Sequence, residues 1–151
     1  MNFKFSFFIL VLSLLLMSCV WADDDVTITY DNFDEFDNDV QLTYDGVSFT
    51  IPEGYGVLKN TSLEDVDFWQ NVQFMFFGNT EGNTISVNVI SSWFGVNLDD
   101  IVDDGDVKKT VCGHEGYLKK DDEGVDFKYI DDGKGVYVQT DDMATLKKVI
   151  G

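Results

Sequence analysis

The sequence predicts an α+β domain: an antiparallel β-sheet of about six to seven strands, with a short mid-chain helix and a C-terminal helix packed on one face. Three observations carry this prediction. Segments of alternating apolar and polar residues are separated by turns rich in glycine, strands and helices are segregated along the chain, and the last apolar residues recur at helical spacing.

The first 22 residues predict export. Lys4 precedes an apolar run over residues 5–17, and Val20-Trp21-Ala22 supplies the positions that a signal peptidase reads. Cleavage after Ala22 makes Asp23 the new N-terminus. Two alternatives stay open: lipidation of Cys19, which stands where a lipoprotein signal places its acylated cysteine, and retention of the apolar run as an uncleaved anchor, although a spanning helix needs about 20 apolar residues.

Residues 23–39 are dominated by aspartate, which predicts an acidic spacer. Val26, Ile28 and Tyr30 alternate within it, a pattern that also fits a short edge strand. We set the domain at residues 40–151 and expect it to be a single unit.

The domain begins with the pattern of a β-hairpin. Residues 40–44 and 47–51 alternate apolar and polar side chains around Asp45-Gly46, a turn pair typical of hairpins, and Pro52 ends the second strand. Inward-facing Ile85, Val87 and Val89 mark a later strand. The further predicted strands begin near Tyr55 and cover residues 68–77, 84–90, 107–112, 117–119, 125–130 and 136–139.

Two helices are predicted. The first covers residues 97–102, where Asn97 can cap the helix and Asp99 and Asp100 suit the positive end of its dipole. The second helix follows Asp141 and places lysines in its last turn, where the dipole favours cations. Its apolar residues share one helical face: Met143, Leu146, Val149 and Ile150.

Charge excludes several partners. The chain has 28 acidic residues and ten basic ones, a net charge of −18, and removal of residues 1–22 takes away only Lys4 among the charged residues. Binding a polyanion needs clustered cations, so nucleic acid is excluded, and membrane contact is expected only through the N-terminal segment if that segment is uncleaved or lipidated. We expect a soluble monomer.

Cysteine and histidine do not predict a catalytic site. Cleavage after Ala22 leaves Cys112 alone, so no disulfide forms within the monomer. A turn separates Cys112 from His114, the only histidine, and we expect a buried strand cysteine and a turn histidine rather than a nucleophile and its base. Asn60-Thr61-Ser62 is a sequon for N-glycosylation of Asn60.

The acidic loops are the candidate metal sites. Asp103, Asp104 and Asp106 surround Gly105, and hard cations such as calcium take several carboxylate oxygens from a tight loop. The loop lacks the spacing of an EF-hand, so we favour turn formation and predict no cofactor. Trp69 and Trp93 are a candidate sugar or peptide platform, but their position beside apolar runs favours the core.

From Val47 onward, two segments and the closing strand and helix resemble a class of small exported bacterial and archaeal domains of unknown function, with an architecture similar to the Mog1/PsbP-like α+β fold. The segments are Phe49-Thr50-Ile51-Pro52-Glu53-Gly54-Tyr55 and Val111-Cys112-Gly113-His114-Glu115-Gly116-Tyr117. The resemblance implies an α+β fold and supplies no catalytic residues.

These observations predict a non-enzymatic module, secreted or at the cell surface, that binds a protein or an envelope component through an exposed sheet face. The alternative is an extracellular protein that binds calcium or a small ligand. An exposed aromatic patch on the sheet favours the first function.

Intact mass spectrometry of the protein from its native cell tests export. We expect a chain that starts at Asp23, because a signal peptidase cleaves after small residues such as Ala22. A lipid on Cys19 or an uncleaved segment in the membrane identifies the two alternatives. Full-length chain free in the cytosol, with Met1 intact, contradicts export altogether.

Overall fold

The computed structural model describes residues 34–67 and 70–151, with the backbone alone for residues 59–67 and 70. Within these ranges the chain forms nine β-strands, one α-helix and a single 3-10 turn at Leu98–Asp100. The strands and the helix are β1 (Val40–Tyr44), β2 (Val47–Ile51), β3 (Tyr55–Asp67), β4 (Gln70–Asn79), β5 (Thr84–Ser92), β6 (Val107–Val111), β7 (His114–Asp121), β8 (Gly124–Asp131), β9 (Lys134–Thr140) and α1 (Met143–Ile150).

The predicted first hairpin is confirmed. β1 and β2 pair antiparallel, and Asp45 and Gly46 both have positive φ, as a two-residue type I′ turn requires. Alternation along β2 buries Val47, Phe49 and Ile51. The hairpin forms a small sheet of its own and does not extend the larger one.

The larger sheet has seven strands in the described ranges, in the order β3-β4-β5-β9-β8-β7-β6, and every neighbouring pair is antiparallel. Pairing of β5 with β9 joins the two halves of the chain in the middle of the sheet. Antiparallel sheets with a closing helix belong to the predicted α+β class, which the structure confirms in these broad terms.

One face of the sheet, here called the core face, carries the apolar core. The β1–β2 hairpin and α1 lie over it, and Asp142 caps α1 by accepting hydrogen bonds from the backbone N–H groups of Ala144 and Thr145. The core residues that the sheet contributes are Tyr55, Met75, Phe77, Ile85, Val87, Val89, Val111, Val125, Phe127, Tyr129, Val136 and Val138. Ile85, Val87 and Val89 face inward as predicted.

The predicted mid-chain helix over residues 97–102 is absent from the described structure, which has only the 3-10 turn at this position. The Asp100 carboxylate accepts a hydrogen bond from the Asn97 backbone N–H, which closes the turn on itself. Ile101 then packs into the protein beside Gly135, on the face opposite the core. Tertiary contacts of this segment therefore override its helical pattern.

Residues just before β1 contact the domain. Phe36 packs against the core, with its ring 6.5 Å from that of Phe77, and the Asp39 carboxylate lies 2.8 Å from the Lys148 ammonium. The hydrogen bond from Lys148 is the main reason that the pKa of Asp39 lies below its ordinary value.

Cys19, Ala22 and most of the predicted spacer lie outside the described residues. None of the described helices has the length and apolar character to span a bilayer.

Candidate docking surface on the second face of the sheet

The face opposite the core, here called the second face, mixes aromatic and polar side chains. Residues that are opposite each other in neighbouring strands point to the same side, so the strand register fixes which side chains are neighbours. Two cross-strand rows define this face: Phe74, Asn88, Tyr137, Lys128 and Tyr117, and beside them Phe76, Ser86, Gln139, Asp126 and Lys119.

A buried ion pair lies in the middle of the second face. The Lys128 side chain is 5% exposed, and its ammonium contacts the carboxylates of Asp103 and Asp106. The Asp106 side chain is fully buried, 2.9 Å from the ammonium, whereas that of Asp103 is 44% exposed. The second oxygen of Asp106, Oδ1, is buried without a hydrogen-bond partner in the described residues, so Lys128 is its compensating charge.

Residues 93–106, here called the crossover segment, follow β5 and run to the sheet edge at β6. The Val96 backbone N–H donates to the Gly133 carbonyl, and a Cβ on Gly135 would lie 3.1 Å from Val96, so the segment lies closely over β9. Further on, Asp103 and Asp106 attach it to Lys128 of β8. The crossover segment therefore covers the β8–β9 half of the second face.

Tyr137 and Asp126 stand beside the ion pair. The Tyr137 ring lies under the Lys128 ammonium, 5.4 Å from ring centroid to nitrogen, and its hydroxyl is hydrogen-bonded to Asp126. Burial raises the pKa of Tyr137, and the nearby Asp126 charge raises it further. Burial also raises the pKa of Asp126, although the hydrogen bond from Tyr137 works in the opposite direction.

A groove, here called the β5 groove, follows β5 along the other half of the second face. Its floor is made of Ser86, Asn88 and Ile90, all buried to 8% exposure or less. One wall carries the half-buried rings of Phe74 and Phe76, nearly parallel at a centroid distance of 6.3 Å. The other wall, on β9, carries Tyr137 and Gln139, two strand spacings or about 10 Å away. Small side chains thus lie between larger ones along β5, and the larger ones cover most of their surface.

An exposed aromatic pair stands at one end of the β5 groove. Trp93 is 84% exposed and Phe94 is 80% exposed. They occupy the centre of a turn, here called the aromatic turn (Ser92, Trp93, Phe94 and Gly95), which the Gly95 N–H closes by donating to the Ser92 carbonyl at 2.9 Å. The turn thus presents the two largest apolar side chains among the exposed residues to solvent.

The prediction that Trp93 belongs to the core is wrong. The apolar run of β5 suggests a buried continuation, but the chain turns after Ser92 and leaves Trp93 outside the sheet. The sequence did contain a signal for this turn, namely Gly95, two residues after Trp93. In the structure Gly95 has a φ of 72°, which is typical of a glycine in a turn. Trp69, the other predicted platform residue, lies outside the described residues.

The prediction for Cys112 is also wrong, because the side chain is exposed in a turn and not buried in a strand. Cys112 and Gly113 both have positive φ and form the β6–β7 hairpin turn. The thiol contacts the Lys147 carbonyl, 3.5 Å from Sγ to oxygen. The expectation of a turn histidine is wrong as well, because His114 belongs to β7. Its ring packs on Tyr129, with the centroids 4.4 Å apart, so the two side chains have different partners.

The acidic residues proposed as a metal site lie in one turn, and two of them contact the same side chain. Asp103 and Asp106 meet at Lys128, while Asp104 is exposed in the same turn. Among the side chains of residues 34–58 and 71–151, no group of three or more His, Cys, Asp or Glu is arranged to hold a metal ion. The backbone of Asn60 lies in β3, opposite Met75. Sequence reasoning missed Lys128, Tyr137 and the β5 groove, because only the strand register brings them together.

Comparisons with protein families, with curated proteins and with solved structures find no match to this chain. The resemblance to the Mog1/PsbP-like α+β fold stays a prediction.

Replacing Lys128 with methionine tests the ion pair. Lys128→Met leaves the Asp106 carboxylate buried without a counter-charge, so we expect the free energy of unfolding in urea to fall by about 3–5 kcal/mol. Asp103→Asn is the control and should cost about 1 kcal/mol or less, because that carboxylate is partly solvated. Adding Asp106→Leu to Lys128→Met should restore most of the loss. Equal costs for the two single variants contradict this account.

Replacing Asp126 with asparagine tests the raised pKa of this carboxyl group. Above the pKa of the unfolded chain, near 3.8, the buried carboxylate costs stability, and this cost disappears as the pH falls through the higher pKa of the folded state. Asp126→Asn should therefore raise the melting temperature at pH 7, and the gain should vanish toward pH 3. Asp104→Asn, at an exposed position, serves as the control. A gain that grows on acidification contradicts the assignment.

Proposed function

We propose that this protein is an exported, non-enzymatic binding module, secreted or held at the cell surface, that docks a protein or envelope component on its second face. The observation that carries the proposal is the exposure of Trp93 and Phe94 on a closed turn. Large aromatic side chains supply most of the binding energy in many interfaces. Their exposure in a free domain indicates a surface that a partner covers.

The β5 groove supports the same proposal. Ser92, the first residue of the aromatic turn, shares the second face with Ile90, Asn88 and Ser86, so turn and groove form one continuous surface. Its length from Ser86 to Ser92 is about 20 Å, which corresponds to six residues of an extended chain. Asn88 and Ser86 are nearly buried along the floor, so the partly exposed rings of Phe74 and Phe76 supply the contact area along this strip.

The features expected of an enzyme do not converge on this surface. Cys112 and His114 lie at the β6–β7 turn, which connects the two strands farthest from β4 in the sheet. The carboxylates of Asp103 and Asp106 are bound to Lys128. The second face therefore offers contacts for binding rather than groups for catalysis. The packed core on the opposite face of the sheet holds these contacts in place.

A cell-binding assay tests this function. Labelled protein, expressed from the full-length sequence in an exporting host, is titrated onto cells of the native organism that lack the gene. We expect saturable binding that weakens at least about tenfold in the double variant Trp93→Ser, Phe94→Ser, since each buried aromatic anchor typically contributes 1–2 kcal/mol or more.

Val107→Ser is the matched control. Val107 is also an exposed apolar residue, 60% exposed, but it lies on β6 at the far edge of the sheet. Its replacement should leave cell binding and melting temperature unchanged. Equal binding by the wild-type protein and the double variant, with both folded by circular dichroism, contradicts the proposal.

A further inference from the structure

The charges around the docking surface are acidic. Asp141 accepts a hydrogen bond from the backbone N–H at the start of β5, and Glu81 stands in the adjoining β4–β5 turn. Asp126 is the cross-strand neighbour of Gln139 in the groove wall. Asp132 lies in the β8–β9 turn, next to the crossover segment. Carboxylates thus flank the groove at both ends, and Asp126 lies beyond its β9 wall.

The described lysines close to this surface are already paired. The Lys128 ammonium is held by Asp103 and Asp106 under the crossover segment. Lys134 lies 3.8 Å from Asp132. The whole chain carries a net charge of −18, so the long-range field has the same sign as the local one. An anionic ligand would meet repulsion from this field.

We propose that the docking surface binds an extended, arginine-rich segment of a partner protein; this inference rests on the binding function proposed above and names its ligand. Guanidinium groups stack on aromatic faces and pair with carboxylates, and the surface offers both. Trp93 and Phe94 are exposed rings at one end, and Phe74 and Phe76 are half-exposed rings along the wall.

The spacing of side chains along the groove matches the spacing of side chains in such a ligand. Phe74 and Phe76 are two residues apart on β4, and so are Ser86 and Asn88 on β5. This spacing is about 6.6 Å, the distance between alternate side chains of an extended peptide. A chain with arginine at every second position therefore repeats its guanidinium groups at the spacing of the Phe74 and Phe76 rings, while its other side chains face the solvent.

Calorimetric titration with three synthetic decapeptides tests the inference. The first alternates arginine and threonine; the second replaces each arginine with citrulline, which keeps the shape and removes the charge; the third replaces each arginine with glutamate. The protein is expressed from the full-length sequence in an exporting host. We expect the arginine peptide to bind 1:1, at least about tenfold more tightly than the citrulline peptide, and the glutamate peptide not to bind.

Two variants distinguish peptide binding at the docking surface from diffuse attraction to a negatively charged protein. Trp93→Ser, Phe94→Ser keeps the net charge and should weaken binding of the arginine peptide at least about tenfold, whereas Val107→Ser should not. Undiminished binding by the double variant means that charge alone holds the peptide and overturns the inference. So does a lack of binding by the wild-type protein.

One outcome separates this inference from the function on which it rests. If arginine and citrulline peptides bind equally and both are lost in the double variant, the surface is a docking site that does not select cations. The cationic ligand is then wrong, and the binding function stands. If the double variant also binds native cells as well as the wild-type protein does, the binding function itself is wrong.

Discussion

The buried ion pair between Lys128 and Asp106 is the constraint on which the second face depends. The chain leaves the sheet at β5, in its middle, and re-enters at β6, on its edge, so the crossover segment has to pass over one face. Lys128 and Asp106 are nearly or fully buried, and neither charge is tolerated there without the other. Their pairing holds the crossover segment on β8 and β9, and this position decides which half of the face is covered.

The two faces of the sheet are consequently covered to different extents. The core face is closed by the β1–β2 hairpin and α1, and side chains such as Phe77, Phe127 and Val138 are completely buried there. Over β8 and β9 the second face is covered by the crossover segment, which is held through charges and a few apolar contacts. The β5 groove and the aromatic turn occupy the part that this segment leaves open, next to the point where it departs from β5.

Local patterns predicted much of the fold but not its assembly. Asp45-Gly46 predicted the first hairpin because the turn chemistry is contained in two residues, and the helical spacing of the apolar residues after Asp141 predicted α1 just as locally. The strand β3 was predicted only near Tyr55, because its later residues are polar and pair as an edge strand through β4. Lys128 meets Asp103 across 25 positions of sequence, and no periodicity encodes that meeting. The same holds for the groove, since Phe74, Asn88 and Tyr137 become neighbours only through register.

Hydroxyl-radical footprinting with mass spectrometry tests most directly whether one sheet face is sealed and the other is partly open. The method measures the oxidation rate of each side chain, which follows its contact with water. We expect rapid oxidation of Trp93 and Phe94, intermediate rates for Phe74 and Phe76, and strong protection of Phe77 and Phe127. Protection of Trp93 and Phe94 as complete as that of Phe127, in the isolated protein, would contradict the open second face.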